Sequence, residues 1–261
     1  MEIVFKIVVS IIAGFGAGLG TGFAGMSAAA VIIPVLVGIL DMDPYMAIGI
    51  ALASDVLASA FSAVTYAKNK NVDLKKSWIL MTAVLVSTVI GSIVGEYLPD
   101  TILGGASIVS ALILGIKFLV KPVTEPKTWI FAQTKGAYTV NSIIAGTMIG
   151  FICGCVGAGG GLAMLFVLTI VLGFDLKKAV GTSVFIMTFS ALFGAVSHFA
   201  LDTVPDPLIL ITCIASTLFF AVASARIANR IDHVTLNRVV GILLLSIGVS
   251  IGTVQLLKFL I

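Results

Sequence analysis

Gly14-Phe-Gly-Ala-Gly-Leu-Gly-Thr-Gly-Phe-Ala-Gly25 returns in outline as Gly146-Thr-Met-Ile-Gly-Phe-Ile-Cys-Gly-Cys-Val-Gly157, with Gly14, Gly18, Gly22 and Gly25 falling on Gly146, Gly150, Gly154 and Gly157. The same shift of 132 residues carries Ala47 onto Ala179, Gly49 onto Gly181, Phe61 onto Phe193, Ala63 onto Ala195 and Val64 onto Val196. The chain is therefore two copies of one unit. Self-similarity at a fixed period is a statement about architecture, and in a membrane chain it is the usual build of a secondary transporter with its site between the halves.

Composition places the chain in the membrane. Of its 261 residues 59% are hydrophobic and 10% charged, and the mean hydropathy is +1.21. An ordinary soluble domain carries about 25% charge, so a soluble fold is excluded. Apolar runs at 79–93, 102–120, 208–225 and 239–257 approach the roughly 20 residues that cross a bilayer as helix, and no period-2 alternation suggests a barrel. The opening run passes Ala30 without a polar stop, which argues for a structural segment rather than a signal peptide. Cys153, Cys155 and Cys213 have no disulfide or zinc spacing and read as buried small residues. No basic patch for nucleic acid, metal cluster or cofactor motif is visible, so no cofactor is expected.

Loop charge orders the segments. Lys68, Lys70, Lys75 and Lys76, then Lys121, Lys127 and Lys135, then Arg226, Arg230 and Arg238 mark three cytoplasmic loops, whereas Asp41/Asp43, Glu96/Asp100 and Asp202/Asp206 lie in loops without Lys or Arg. Under the shift each loop meets one of opposite character. Loops that change sides imply inverted-topology repeats, which need an odd number of crossings each. The opening stretch of each half must then be a hairpin, either two short crossings or two half-helices that dip in and return, with about 17 residues per arm. The expectation is an all-α polytopic protein of the cell (plasma or inner) membrane with about five helical segments per repeat. The first repeat spans 1–120, a cytoplasmic linker 121–136 and the second repeat 137–261, with both termini outside.

Each hairpin should break at its glycine-rich turn, Gly18 to Ser27 in the first half and Gly154 to Gly161 in the second. Unwound backbone inside a membrane survives only where protein or a polar cavity surrounds it. The returning arm then offers free N–H groups and the positive end of a helix dipole, which bind an anion without a basic side chain. A second cluster, Ala53-Ser54-Asp55 and Gly181-Thr182-Ser183, approaches the pseudo-two-fold axis from opposite sides. Asp55 is the most informative side chain, because a carboxylate deep in an apolar helix is costly unless paired, protonated or hydrated. It reads as a proton carrier, a cation ligand, or a structural acceptor bridging helices. His198 and Tyr66 are equivalent under the shift; His198 reads as a protonatable gate residue and Tyr66 as an interfacial anchor. Most of the hydroxyls of Ser59, Ser62, Thr188 and Ser190 are expected to bond back to their own helices.

Gly157-Ala-Gly-Gly-Gly-Leu162, then Lys178-Ala-Val-Gly-Thr-Ser183 and Phe193-Gly-Ala-Val-Ser-His198, resemble the sulfite exporter TauE/SafE family, and the length and duplicated layout are similar throughout. The first half departs from the pattern at Gly25-Met-Ser-Ala-Ala and at Ala53-Ser-Asp55. The resemblance implies a transporter, not an enzyme, that moves small sulfur-containing anions such as sulfite, sulfoacetate or other organosulfonates outward. By position it implies that Gly157, Ala158, Gly159, Gly160, Gly161, Thr182 and Ser183 hold the anion from one side, and Ala24, Gly25, Met26, Ser27 and Ser54 from the other; Asp55, read as an intramembrane carboxylate, is the candidate coupling group. The expected partners are a small anionic substrate, the lipid bilayer and, in the membrane, further copies of the chain; nucleic acid is not among them. A cation or neutral-metabolite transporter using Asp55 as ligand is the alternative. A thiol oxidoreductase built on Cys153 and Cys155 fails the C-x-x-C test, and a passive channel is separated from a carrier by counterflow.

Overall fold

The computed structural model describes residues 2–98, 135–157, 160–174, 176–201 and 205–232, with isolated positions between 112 and 120 and between 234 and 253. The fifth segments expected at 102–120 and 239–257, and the linker at 121–134, therefore lie wholly or largely outside the described residues. Within them the chain is helical throughout: α1 (Glu2–Ala24), α2 (Ala29–Leu40), α3 (Pro44–Lys68), α4 (Leu74–Gly95), α5 (Lys135–Val156), α6 (Gly160–Phe166, continued by a π turn at Val167–Val171), α7 (Leu176–Leu201) and α8 (Pro207–Ala228). α1, α3, α4, α5, α7 and α8 are long and apolar enough to cross a bilayer, whereas the 12 residues of α2 are not. Large apolar side chains such as Val86 (64% exposed) and Phe219 (69%) point outward. A soluble protein would hide them, and lipid does so here.

Acids in both sets of loops start helices. Asp43 accepts from the Met46 N–H at 2.9 Å with Pro44 opening α3, Asp73 from Lys76 N–H at 3.2 Å, and Asp206 from Leu208 N–H at 3.0 Å with Pro207 opening α8. Each satisfies an N–H that the first helical turn leaves without a partner.

Packing follows the sequence repeat. The 132-residue shift maps α1 onto α5, α3 onto α7 and α4 onto α8. The two most extensive helix pairs, α1 with α8 and α5 with α4, are equivalents, and the third, α3 with α7, is its own equivalent. Glycine makes the first two pairs possible. A methyl group at Gly14, Gly18 or Gly22 would run into α8 between Ser216 and Ala225, and one at Gly146, Gly150 or Gly154 into α4 between Leu80 and Ser92. Small residues let backbones approach where apolar burial cannot drive helices together.

This corrects the expected hairpins. Gly18 and Gly22 stay inside α1 and Gly154 inside α5, so the breaks are confined to the residues after Ala24 and after Val156. The arms are also unequal: 23 residues lead in and 12 return in the first half. The leading arm runs long because its glycine stripe has a neighbour along its whole length.

Two ends of the bundle are distinct. Lys6 meets Asp206 at 3.3 Å, and Glu2, Leu40, Met42 and Asp206 line a cavity of about 310 Å³, so the starts of α1 and α8 and the end of α2 share one end. At the other, Asn71 Nδ2 donates to Asn229 Oδ1 at 3.4 Å, Lys177 Nζ to the Asn229 carbonyl at 3.3 Å, and the Tyr138 hydroxyl to the Lys76 carbonyl.

Candidate functional site

The chain leaves α1 through Gly25, whose φ of +64° lies in the left-handed region that favours glycine. The Gly25 N–H donates to the Thr21 carbonyl at 2.9 Å and the Met26 N–H to the Gly20 carbonyl at 3.3 Å, which closes the helix end. The second half repeats the device: Gly157 has φ +68° and donates to the Cys153 carbonyl at 2.8 Å. Gly25 lies against Val180, Ser183 and Val184 of α7, and Gly157 against Ile48 of α3, Ile33 and Ala29. Val180 is the shifted equivalent of Ile48, so each tip rests on the same spot of the other repeat's long helix.

The tips also meet each other. A methyl group at Gly161 would collide with the Gly25 carbonyl oxygen and come within 2.8 Å of the Ser27 nitrogen.

Asp55 sits at this junction, fully buried. The start of α2 has no cap of its own, since Ala28 provides no side-chain acceptor. Asp55 provides it from α3: Oδ1 accepts the Ala28 N–H at 2.7 Å and Oδ2 lies 2.6 Å from the Ser27 hydroxyl. Ser27 Oγ further accepts the Ala29 N–H at 3.2 Å and lies 3.1 Å from the Gly157 carbonyl of the opposite tip. The helix terminus expected to attract an anion is thus already capped by a carboxyl group of the protein itself.

Other site residues fall in different places. Met26 is buried with its thioether over Gly20, Gly160 lies beside Cys153, and Ser183 bonds back to the Val180 carbonyl at 2.8 Å while facing Gly25. Ala24 ends α1, and Ala158 and Gly159 lie outside the described residues. Ser54 is turned to its own helix, donating to the Ile50 carbonyl at 2.9 Å. Thr182 is not brought to the tips: its hydroxyl accepts the Asp73 N–H at 3.0 Å beside the α3–α4 loop. Ser59, Thr188 and Ser190 do bond back to their helices, and Thr188 also reaches Ser59 at 3.1 Å. Ser62 is the exception, buried with no partner among the described residues.

Tyr66 is not an interfacial anchor. It is buried, and its hydroxyl donates to the Gly22 carbonyl at 3.2 Å, while its equivalent His198 places Nε2 3.0 Å from the Gly154 carbonyl and its ring 4.1 Å from that of Tyr45. Both hold the last turn of a leading arm, where carbonyls lack helical partners. Sequence reasoning missed this role although the shift had paired both the aromatic residues and the glycines. Tyr66→Phe should lower stability by about 1 kcal/mol, the net worth of one hydrogen bond, as read by thermal unfolding in detergent.

The family model described as sulfite exporter TauE/SafE matches residues 10–251. Two proteins of Bacillus subtilis (strain 168) are similar over most of their length: probable membrane transporter protein YunE, 26% identical across 95% of this chain and 96% of that protein, and probable membrane transporter protein YdhB, 23% identical across 87% and 92%. With paired glycine tips, an all-helical membrane bundle and a match over nearly the whole chain, this protein belongs to the sulfite exporter TauE/SafE family of membrane transporters.

Proposed function

We propose that the chain is a secondary transporter, working as an exporter, of a small sulfur-containing oxyanion such as sulfite, sulfoacetate or another organosulfonate. The substrate binds near the midplane between the tips at Gly25–Ser27 and Gly157–Gly161 when the two repeats part, and Asp55 couples the cycle to protons or cations. The observation that carries this reading is the contact between the tips beside a buried acid, since a closed junction of unwound backbone is where a carrier of two repeats opens to one side or the other. Among the described residues Lys and Arg lie at or beyond helix ends, so backbone N–H groups and hydroxyls are the donors left at the tips. Equivalent helix pairs, and α1 and α5 starting at opposite ends, support inverted repeats. The lysines of the α3–α4 loop and Arg226 at the end of α8 support a cytoplasmic assignment for that end, with the N-terminus outside.

A second reading rests on one observation: the Asp55 carboxylate and the Gly157 carbonyl both face the Ser27 oxygen, an all-oxygen set that suits a cation. Thermal unfolding with added ligand separates the two. A ligand at 100 times its Kd stabilises the folded state by about 2.7 kcal/mol, and sulfite or sulfoacetate is expected to do so. Stabilisation by sodium or an organic cation, with no response to any sulfur oxyanion, would sink the anion reading.

A further inference from the structure

Three contacts converge on one hydroxyl, and a fourth is made by the carboxyl group it touches. Ser27 Oγ lies 2.6 Å from Asp55 Oδ2 and 3.1 Å from the Gly157 carbonyl, and it accepts the Ala29 N–H at 3.2 Å, while Asp55 Oδ1 accepts the Ala28 N–H at 2.7 Å. A serine hydroxyl has one proton to donate and two lone pairs. If Asp55 is ionised, that proton goes to Oδ2, and the Gly157 carbonyl receives nothing from Ser27. If Asp55 carries a proton on Oδ2, it donates to Ser27 Oγ, which turns its own proton to the Gly157 carbonyl. Only then are all four contacts hydrogen bonds at once.

We infer that Ser27 is the coupling residue of this transporter: its single hydroxyl proton is committed either to Asp55 of its own repeat or to Gly157 of the other, so that protonation of Asp55 ties the two hairpin tips and ionisation releases them. The inference rests on the proposed role of Asp55 in coupling and adds the mechanical step. No atom other than one proton is exchanged: it arrives from water at Asp55 Oδ2 and leaves by the same atom.

The surroundings leave Asp55 as the group that titrates here. α2 and α6 carry no ionisable side chain, and α1 carries Glu2 and Lys6 at its far end. On α7, Lys177, Lys178 and His198 lie at the ends; on α8, Cys213 faces Ser10 and Arg226 lies in the last turn; on α4, Lys75 and Lys76 lie in the first turn. On α3 itself Tyr45, Tyr66 and Lys68 lie ten or more residues away, roughly 15 Å along the helix. On α5 the buried thiols are Cys153, beside Gly160, and Cys155, while Tyr138 lies in the first turn.

The asymmetry of the repeat agrees with this division of labour. Met187 stands where the second half would place an acid, and Gly159 where it would place a hydroxyl, so one switch serves both tips.

Hydrogen–deuterium exchange of the full chain in nanodiscs tests the inference, with intrinsic exchange rates corrected for pH. In the wild-type protein, protection of peptides covering 25–30 and 154–165 should rise about tenfold from alkaline to acid pH, the factor for one hydrogen bond. Asp55→Asn presents an N–H to Ser27 and an oxygen to Ala28, so it should hold high protection at every pH. Ser27→Ala should remove the pH response while retaining the helices. Wild-type protection that does not change with pH, or a pH response that survives Ser27→Ala, overturns the inference. Anion-induced thermal stabilisation is read separately: its loss with the pH response intact defeats the substrate reading alone, and the converse result defeats only the tie.

Discussion

Asp55→Ala should abolish transport and lower the unfolding temperature, while Asp55→Asn should keep most of the stability and still fail to cycle. The alanine variant strands the Ala28 N–H in a protein interior, and a buried donor without a partner costs about 1–3 kcal/mol. The loss is not shared by Ser27, whose hydroxyl can turn to the Gly157 carbonyl 3.1 Å away. For a chain of this size each kcal/mol moves the midpoint by about 2–4 °C. Thermal unfolding in detergent and uptake into proteoliposomes read the two consequences independently. An alanine variant as stable as wild type would show that the carboxylate does not hold the start of α2.

Gly150→Ala combined with Gly154→Ala should separate α4 from α5 and cost several kcal/mol. The added methyl groups meet backbone: the Val84 carbonyl at Gly150, and the Thr88 carbonyl and Ser92 nitrogen at Gly154. Backbone inside a packed helix cannot rotate aside, and overpacking of this kind costs about 1–3 kcal/mol per site. Displacing α5 also breaks the His198 contact with the Gly154 carbonyl, so the tip at Gly157 should lose its seat and transport should fall with stability. Gly136→Ala is the control. It has open space around it in the first turn of the same helix, so the methyl should be neutral or slightly stabilising. Equal melting of the double variant and wild type would refute close packing of α4 on α5.

Much of the hairpin tip was legible before any coordinates, because a left-handed turn needs glycine and Gly25 and Gly157 stood out as equivalents. Their neighbours misled for a reason that is physical. Gly18, Gly22 and Gly154 have the same freedom to unwind, and whether they use it depends on what lies alongside. Here α8 and α4 bring their backbones against them, and the close approach holds them helical. Thr182 and Ser183 illustrate the same limit: adjacent residues on α7 point about 100° apart, so one reached the tip and the other the α3–α4 loop.

The amino-acid sequence alone determined that this protein is a helical membrane bundle, that its pattern repeats, and that a glycine turn follows the first described helix of each half. Those properties follow from hydropathy, period and backbone freedom, which are written locally. The partners of Asp55 were decided only by the tertiary structure. Its partners Ser27 and Ala28 lie 28 and 27 residues away in the chain and the Gly157 carbonyl lies 130 residues from Ser27. A buried carboxylate must find donors, but which donors it finds depends on how α2, α3 and the opposite tip meet, and three-dimensional packing alone sets that.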